Sequence, residues 1–307
     1  MAKNIMAKNF SGKFYVYSVP LIVICAVIMY CLLYIHGLGW YDLPGHWKFC
    51  AYFLRGIDPY PYVGVSELPA SVRDIGVISS SFNRTPWGLL LGNVFYFGFM
   101  SLKGAKLCFA VLSVLSLVIT SICIYIKAMN IYHDYKFAFI AFILAVSSNA
   151  FLLSYYVGNE GGIIGSMLLL AWIFSDDYPV LTGILLALAM DKPQTALIIC
   201  FAFLLEKRFA TLITAALIDI SAWFLVSLKT GSSMLLLLRE FLGLNVGGEG
   251  FPLGIFTIFT DNPKISMFIS MAAGILFVWV IDCMYSRNVK NCSNNFRLCF
   301  AFMARTF

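Results

Sequence analysis

Charge is what this sequence has least of. Only 12% of its 307 residues are Asp, Glu, Lys or Arg, and 61% are hydrophobic. Soluble domains carry about 25% charged residues. With a mean hydropathy of +0.87, a soluble globular domain is excluded and an all-α polytopic membrane protein is expected. Histidine is scarcer still: the three present stand too far apart to suggest a metal cluster. The nine cysteines lie mostly within apolar runs, and no pair has metal-ligand or redox spacing. They read as small buried hydrophobes. There is no basic stripe for DNA or RNA, so no nucleic-acid partner is expected. No nucleotide-binding glycine loop, long linker or low-complexity tract occurs. The lack of an internal repeat weakens a transporter built from inverted repeats.

What is present is a series of apolar runs, at 14–35, 105–126, 137–156, 161–175, 179–190, 194–205, 209–228 and 265–285. They predict about eight transmembrane helices. The first is too long for a signal-peptide core and no small-residue cleavage site follows it, so it reads as a signal anchor. A long loop, 36–85, comes next. Within it, His46 to Arg55 alternates apolar and polar positions at roughly helical spacing, as an interfacial helix does. The run at 87–100 is short for a span and reads as re-entrant or interfacial.

Orientation follows from the basic residues. Lys3, Lys8, Lys13, Lys127, Lys136, Lys207, Arg208 and the basic tail fall in the cytoplasm if 87–100 does not cross and 179–205 is a hairpin. In the rival arrangement 87–100 crosses and 179–205 is one kinked helix. The expected organisation is a cytoplasmic N-terminus (1–13), one integral domain (14–285) and a cytoplasmic tail (286–307). The domain includes a first external loop region (36–104) and a second external loop (229–264). Gly243, Gly247, Gly248 and Gly250 suit that second loop to act as a lid.

Several polar motifs interrupt this pattern. Asp191-Lys192-Pro193-Gln194 lies between two apolar arms. A charged pair at membrane depth is costly and usually faces a wet cavity. Pro193 removes a backbone donor and favours a helix break. Lys192 suits a phosphate and Gln194 is a neutral donor. Asp191 neutralises Lys192 or assists a metal; alternatively the pair simply holds a hairpin. Asp42, just after the first span, fits a general base or an ordinary loop aspartate. In Arg55-Gly56-Ile57-Asp58-Pro59-Tyr60-Pro61-Tyr62, Gly56 suits a helix C-cap. Its tyrosines stack on a sugar or anchor at the lipid interface. Arg84 grips a phosphate through its planar fork or anchors at headgroup level beside Trp87. Asn159 and Glu160 close a turn, or bind sugar hydroxyls or a cation. Asp219 and Asp282 also lie within apolar runs.

Taken in order, these motifs resemble the membrane-embedded C-superfamily glycosyltransferases. Within them the likeness is to the polyprenyl-phosphate-mannose-dependent mannosyltransferase-like group, glycosyltransferase family 87. It covers roughly residues 14 to 210. It is carried by Asp42, Arg55 to Tyr60, Arg84-Thr85-Pro86-Trp87, Gly158-Asn159-Glu160, Gly183 to Ala189, and Lys192-Pro193-Gln194-Thr195-Ala196-Leu197.

The resemblance implies an inverting transferase of many membrane helices, with Asp42 in the first external loop as catalytic residue. Lys192, Arg84 and Gln194 would bind the donor phosphate, and His46, Asp58, Tyr60, Asn159 and Glu160 the substrates. The implied donor is a hexose or pentose, mannose favoured, on a polyprenyl phosphate. The acceptor would be a cell-envelope glycan or lipid. The enzyme would be multi-pass in the plasma membrane, with an extracytoplasmic site. No metal ligand and no certain cofactor are expected; a divalent cation on Glu160 or Asp191 stays open. Departures exist. Relatives often have Gly-Gln-Asn where this chain has Gly158-Asn159-Glu160, and a Tyr-Pro-Pro type element where it has Arg84-Thr85-Pro86. They usually continue through further helices, so the tail reads as truncated. The alternatives are a lipid or solute transporter, and a noncatalytic subunit of an envelope-assembly complex.

Overall fold

A long apolar run placed in lipid has only its own backbone for hydrogen bonding, and the helix satisfies every group within one segment. The computed structural model describes residues 2–35, 40–79 and 84–247. These are all-α, with one isolated bridge between Val63 and Ile78 as their only β pairing. The helices are α1 (Ala2–Ile35), α2 (Leu43–Leu54), α3 (Gly88–Leu91), α4 (Asn93–Tyr96), α5 (Leu102–Tyr132) and α6 (Tyr135–Val146). They continue as α7 (Asn149–Val157), α8 (Gly161–Phe174), α9 (Pro179–Ala189), α10 (Pro193–Leu205), α11 (Phe209–Thr230) and α12 (Met234–Gly247).

Four apolar stretches are long enough to cross a membrane: Ser18–Ile35, Leu102–Tyr132, Tyr135–Val157 and Phe209–Thr230. Three more of the expected eight are the shorter apolar helices α8, α9 and α10. The eighth, at 265–285, lies outside the described residues. So do Asn83, Asp282, Gly248, Gly250 and the tail 286–307. The short run at 87–100 forms only the four-residue helices α3 and α4, far below the roughly 20 residues a span needs.

The described residues fall into two compact units. One holds 2–35, Trp40 and 110–173. Its packing uses small side chains: Ala128, Ala138, Ala141 and Ala145 bury against Ile124 and Leu169. Tyr155 donates its hydroxyl to the Tyr30 carbonyl at 3.0 Å, and the Trp40 amide donates to the Tyr156 carbonyl at 2.8 Å. The apolar run expected at 137–156 is interrupted between α6 and α7. Ser147 donates its hydroxyl to the Ile143 carbonyl, and Ser148 caps α7 by accepting from the Phe151 amide. Serine side chains that bond the backbone compete with helix continuation.

The other unit holds 41–79, 84–109 and 174–247. The start of α9 meets the start of α11. Arg208 pairs with Asp176 at 2.7 Å, and Thr211 donates its hydroxyl to the Pro179 carbonyl at 3.2 Å. One turn further on, a Cβ at Gly183 would collide with Thr214 and the Thr211 carbonyl. The two helices therefore run parallel, and α10 between them must run back. Residues 179–205 thus form a hairpin, not one kinked helix. Its arms of 11 and 13 residues are about 16 and 20 Å long, short of a hydrocarbon core of about 30 Å. The far end of α11 meets the first loop, where the Lys229 carbonyl faces Gly56 and Ser232 donates to Asp58 at 2.6 Å.

Two sequence expectations change here. The stretch read as an interfacial helix is α2, but Phe49, Tyr52 and Phe53 are covered by protein. They pack with Tyr60, Ile78, Leu89, Val226 and Leu237. The stretch read as a glycine-rich loop, 229–264, contains α12. The leucine-rich run from Met234 is a strong helix former, and Leu237 anchors it in the same core.

Candidate functional site

The hairpin tip is where the sequence stops permitting a helix. α9 ends with Met190 as its cap, and α10 restarts with Lys192 as N-cap and Pro193 in its first turn. Two ties from the segment 84–96 hold the irregular backbone between them. Trp87 donates its indole N–H to the Met190 carbonyl at 2.9 Å. Arg84 donates to Asp191 and forms an ion pair with it; both side chains are 1% exposed. The Trp87 ring also meets Trp223 of α11 at 6.0 Å. Trp223 lies seven residues before the end of α11, or about 10 Å along it. The tip therefore sits beside the interior of a helix long enough to span. Irregular backbone at such depth requires a protein cover, and 84–96 supplies it.

Burying both members of an ion pair costs several kcal/mol per ion, repaid only by good geometry and further contacts. Those contacts are present. The Arg84 guanidinium lies 4.2 Å from the Tyr96 ring centroid, a cation–π distance. Tyr60 donates its hydroxyl to the Arg84 carbonyl at 2.6 Å. Burial, and then Asp58, push the Tyr60 phenol well above its ordinary range, so Tyr60 stays a neutral donor. Gly88 and Gly92 make the room: a Cβ on Gly88 would overlap Asp191, and one on Gly92 would overlap Arg84. Gly88, Gly92 and Tyr96 are spaced by four residues, one face of a helical path.

The same ring leads to the first loop. His46, 8% exposed, lies 5.0 Å from Tyr96, ring to ring. Its amide donates to the Asp42 carbonyl at 3.2 Å. Asp42 stands at the start of α2, and its carboxylate does not cap that helix. His46, Tyr96, Arg84 and Asp191 are thus in successive contact; Asp42 lies one helical turn before His46, and Lys192 is the chain neighbour of Asp191. Asp58 and Tyr60 adjoin this set: Asp58 accepts from the Tyr60 amide at 3.1 Å and from the Ser232 hydroxyl. Glu240 of α12 bonds Asp58, and burial followed by that neighbour raises its carboxyl to about 7.

Other expected residues are not joined to this set. Gln194 is in the first turn of α10, and its side chain lies outside the described residues. Asn159 and Glu160 belong to the other unit, where Asn159 accepts from the Gly161 amide at 2.9 Å. Glu160 is 2% exposed there. Sequence reasoning missed Tyr96, Glu240, Ser232 and the pairing of Asp191 with Arg84. The Gly-Gly-Tyr spacing was the available signal for part of this. On its other flank α2 lines a cleft of about 480 Å³, with Trp47, Arg55, Asp74, Phe99 and Met100. Among the described residues, no three His, Cys, Asp or Glu side chains gather as a metal site requires.

The arrangement offers a carboxylate, a buried cation and a protein-covered polar tip beside a membrane helix. The sequence model of glycosyltransferase family 87 matches residues 85–286, well over half of the chain. The chain belongs to glycosyltransferase family 87. Comparison with curated proteins and with solved structures returns no match. As a family 87 member it is a membrane glycosyltransferase. The matched stretch takes in the Thr85–Tyr96 cover, the hairpin and α11, while Asp42 and His46 precede it.

Proposed function

We propose that this glycosyltransferase moves a hexose or pentose, mannose favoured, from a polyprenyl-phosphate sugar to a cell-envelope glycan or lipid, with inversion. What supports the reading is the family match together with the buried contacts from His46 through Tyr96 and Arg84 to Asp191, with Asp42 one helical turn from His46 and Lys192 next to Asp191. In this reading a base and a phosphate partner meet beside a spanning helix, where a lipid-borne donor would lie.

In this reading Asp42 removes the proton of the acceptor hydroxyl as that oxygen attacks the anomeric carbon. The bond from that carbon to the donor phosphate oxygen breaks. The electron pair leaves with the phosphate, and the proton stays on Asp42. Lys192 stabilises the charge growing on the departing phosphate. Gln194 is a neutral donor on the same turn, and Arg84, proposed from the sequence as a second phosphate cation, contributes through its pair with Asp191. His46, Asp58 and Tyr60 shape the substrate side. The cleft beside Trp47 offers an aromatic wall for the acceptor. The site faces outward across the plasma membrane, where the donor arrives already activated and needs no nucleotide loop.

The test uses the full chain in lipid nanodiscs with polyprenyl-phosphate mannose and envelope lipid extract, read by mass spectrometry of the product. Asp42→Asn should lower transfer by at least about a hundredfold, the usual scale of general-base catalysis, with membrane insertion unchanged. Wild-type turnover in that variant would remove Asp42 as the base.

A further inference from the structure

Lys192 is one residue from a buried, paired aspartate. The neighbouring backbone is held by groups about a hundred positions earlier in the chain: Arg84 on Asp191 and the Trp87 indole on the Met190 carbonyl. The amides of Met190, Asp191 and Lys192 bond back to the carbonyls of Leu186, Leu188 and Ala189, and Lys192 is the N-cap of α10 (φ −114°, ψ 80°). Residues 190–192 are therefore tied to α9 on one side and to the cover on the other. The cover is itself built around the pair. Gly88 and Gly92 leave the volume in which Asp191 and Arg84 sit, and Tyr96 lies against the guanidinium. Tyr96 also stacks on Phe109, with ring centroids 5.7 Å apart and planes 19° apart, so the ring is held from behind.

A buried ion pair is poor evidence for stability, because apolar side chains of similar size often do as well or better. Its use must lie in what it fixes. We propose that Arg84 and Asp191 are positioning residues. Bedded on Gly88, Gly92 and Tyr96, their pair sets where the Lys192 ammonium stands relative to the incoming donor phosphate and to Asp42. The Tyr96 ring passes that setting to His46, one helical turn from Asp42, so phosphate partner and base are registered through one aromatic ring. This rests on the donor reading proposed above. It assigns Arg84 an action through Asp191 instead of a direct grip on the ligand.

The experiment replaces the pair by apolar side chains, Arg84→Met with Asp191→Leu, in the full-length protein in nanodiscs. The double variant should insert and melt close to wild type, since no charge is left stranded. Its KM for polyprenyl-phosphate mannose should rise by about tenfold, the scale of one lost charge-assisted hydrogen bond, while the acceptor KM stays put. Lys192→Cys, placed in both backgrounds, should react with a small maleimide at different rates, because the tip has moved. A well-folded double variant with unchanged donor KM and unchanged labelling rate would overturn the proposal and leave the pair as packing alone. If the wild-type protein neither binds polyprenyl phosphate nor transfers from its mannose ester, the donor reading fails. The labelling comparison then still decides the positioning claim.

Discussion

Two short polar interruptions of the apolar sequence, Gly158-Asn159-Glu160 and Asp191-Lys192, look alike on paper and differ in what is added to their local bonds. The first is closed largely from within. Gly158 takes a positive φ of 75° at the end of α7. The Asn159 amide donates to the Ser154 carbonyl, and the Asn159 side chain accepts from Gly161. The second has local bonds too, from the Asp191 and Lys192 amides to Leu188 and Ala189, and adds ties from afar, by Arg84 and Trp87, 107 and 103 positions away. A turn held by groups a hundred residues away makes a specific place in the fold.

The sharpest way to break this comparison is to remove one polar side chain from each. Asp191→Ala strands the Arg84 cation in a dry site and should cost about 3–5 kcal/mol. Asn159→Ala loses a local hydrogen bond and should cost about 1 kcal/mol. Chemical unfolding in detergent, followed by tryptophan emission, measures both; equal losses would erase the distinction. Next, Gly88→Ala pushes a methyl into Asp191 and should destabilise by about 1–3 kcal/mol. Gly165→Ala has nothing within 4 Å and should gain up to about 1 kcal/mol of helix propensity. Gly158→Ala isolates the local turn: its left-handed φ should cost about 1–2 kcal/mol and leave donor KM unchanged.

The smallest effect concerns α12. The Glu240 carboxyl is raised to about 7 in the folded protein from an ordinary 4.5. The folded state therefore binds the proton more tightly. The stability this contributes is full below about pH 4.5 and is lost as pH rises through about 7. Thermal melts of wild type and Glu240→Gln should separate across that window, the wild type losing ground as pH rises. Parallel curves would mean that the Glu240 carboxyl is not raised in the folded protein.

Much of the helical plan was legible. Gly56 and Gly158 mark helix ends by their glycine torsions, and Pro193 marks the restart of α10; these signals act over a few residues. The hairpin was one of two arrangements the charges allowed. Parallel contact between α9 and α11, set by Gly183 and Thr211, selects it. The partner of Asp191 was not legible. Lys192 stands next to it in sequence, whereas Arg84 is brought to it only by packing. Tyr96 shows nothing in sequence to separate it from other aromatic residues in apolar runs. The break at Ser147-Ser148 was missed because hydroxyl-to-backbone bonds leave no mark on hydropathy. α12 was missed because its glycines outweighed its leucines.

The separation of Arg84 from its carboxylate also orders events at the ribosome. Arg84 emerges 107 residues ahead of Asp191, or roughly 5–20 s at ordinary elongation rates. Through that interval the nascent chain carries a guanidinium destined for a dry interior with no counter-charge yet made. The cover cannot seat until the ninth helix has followed it into the bilayer. Completion of this buried pair is thereby deferred until the hairpin tip has been made.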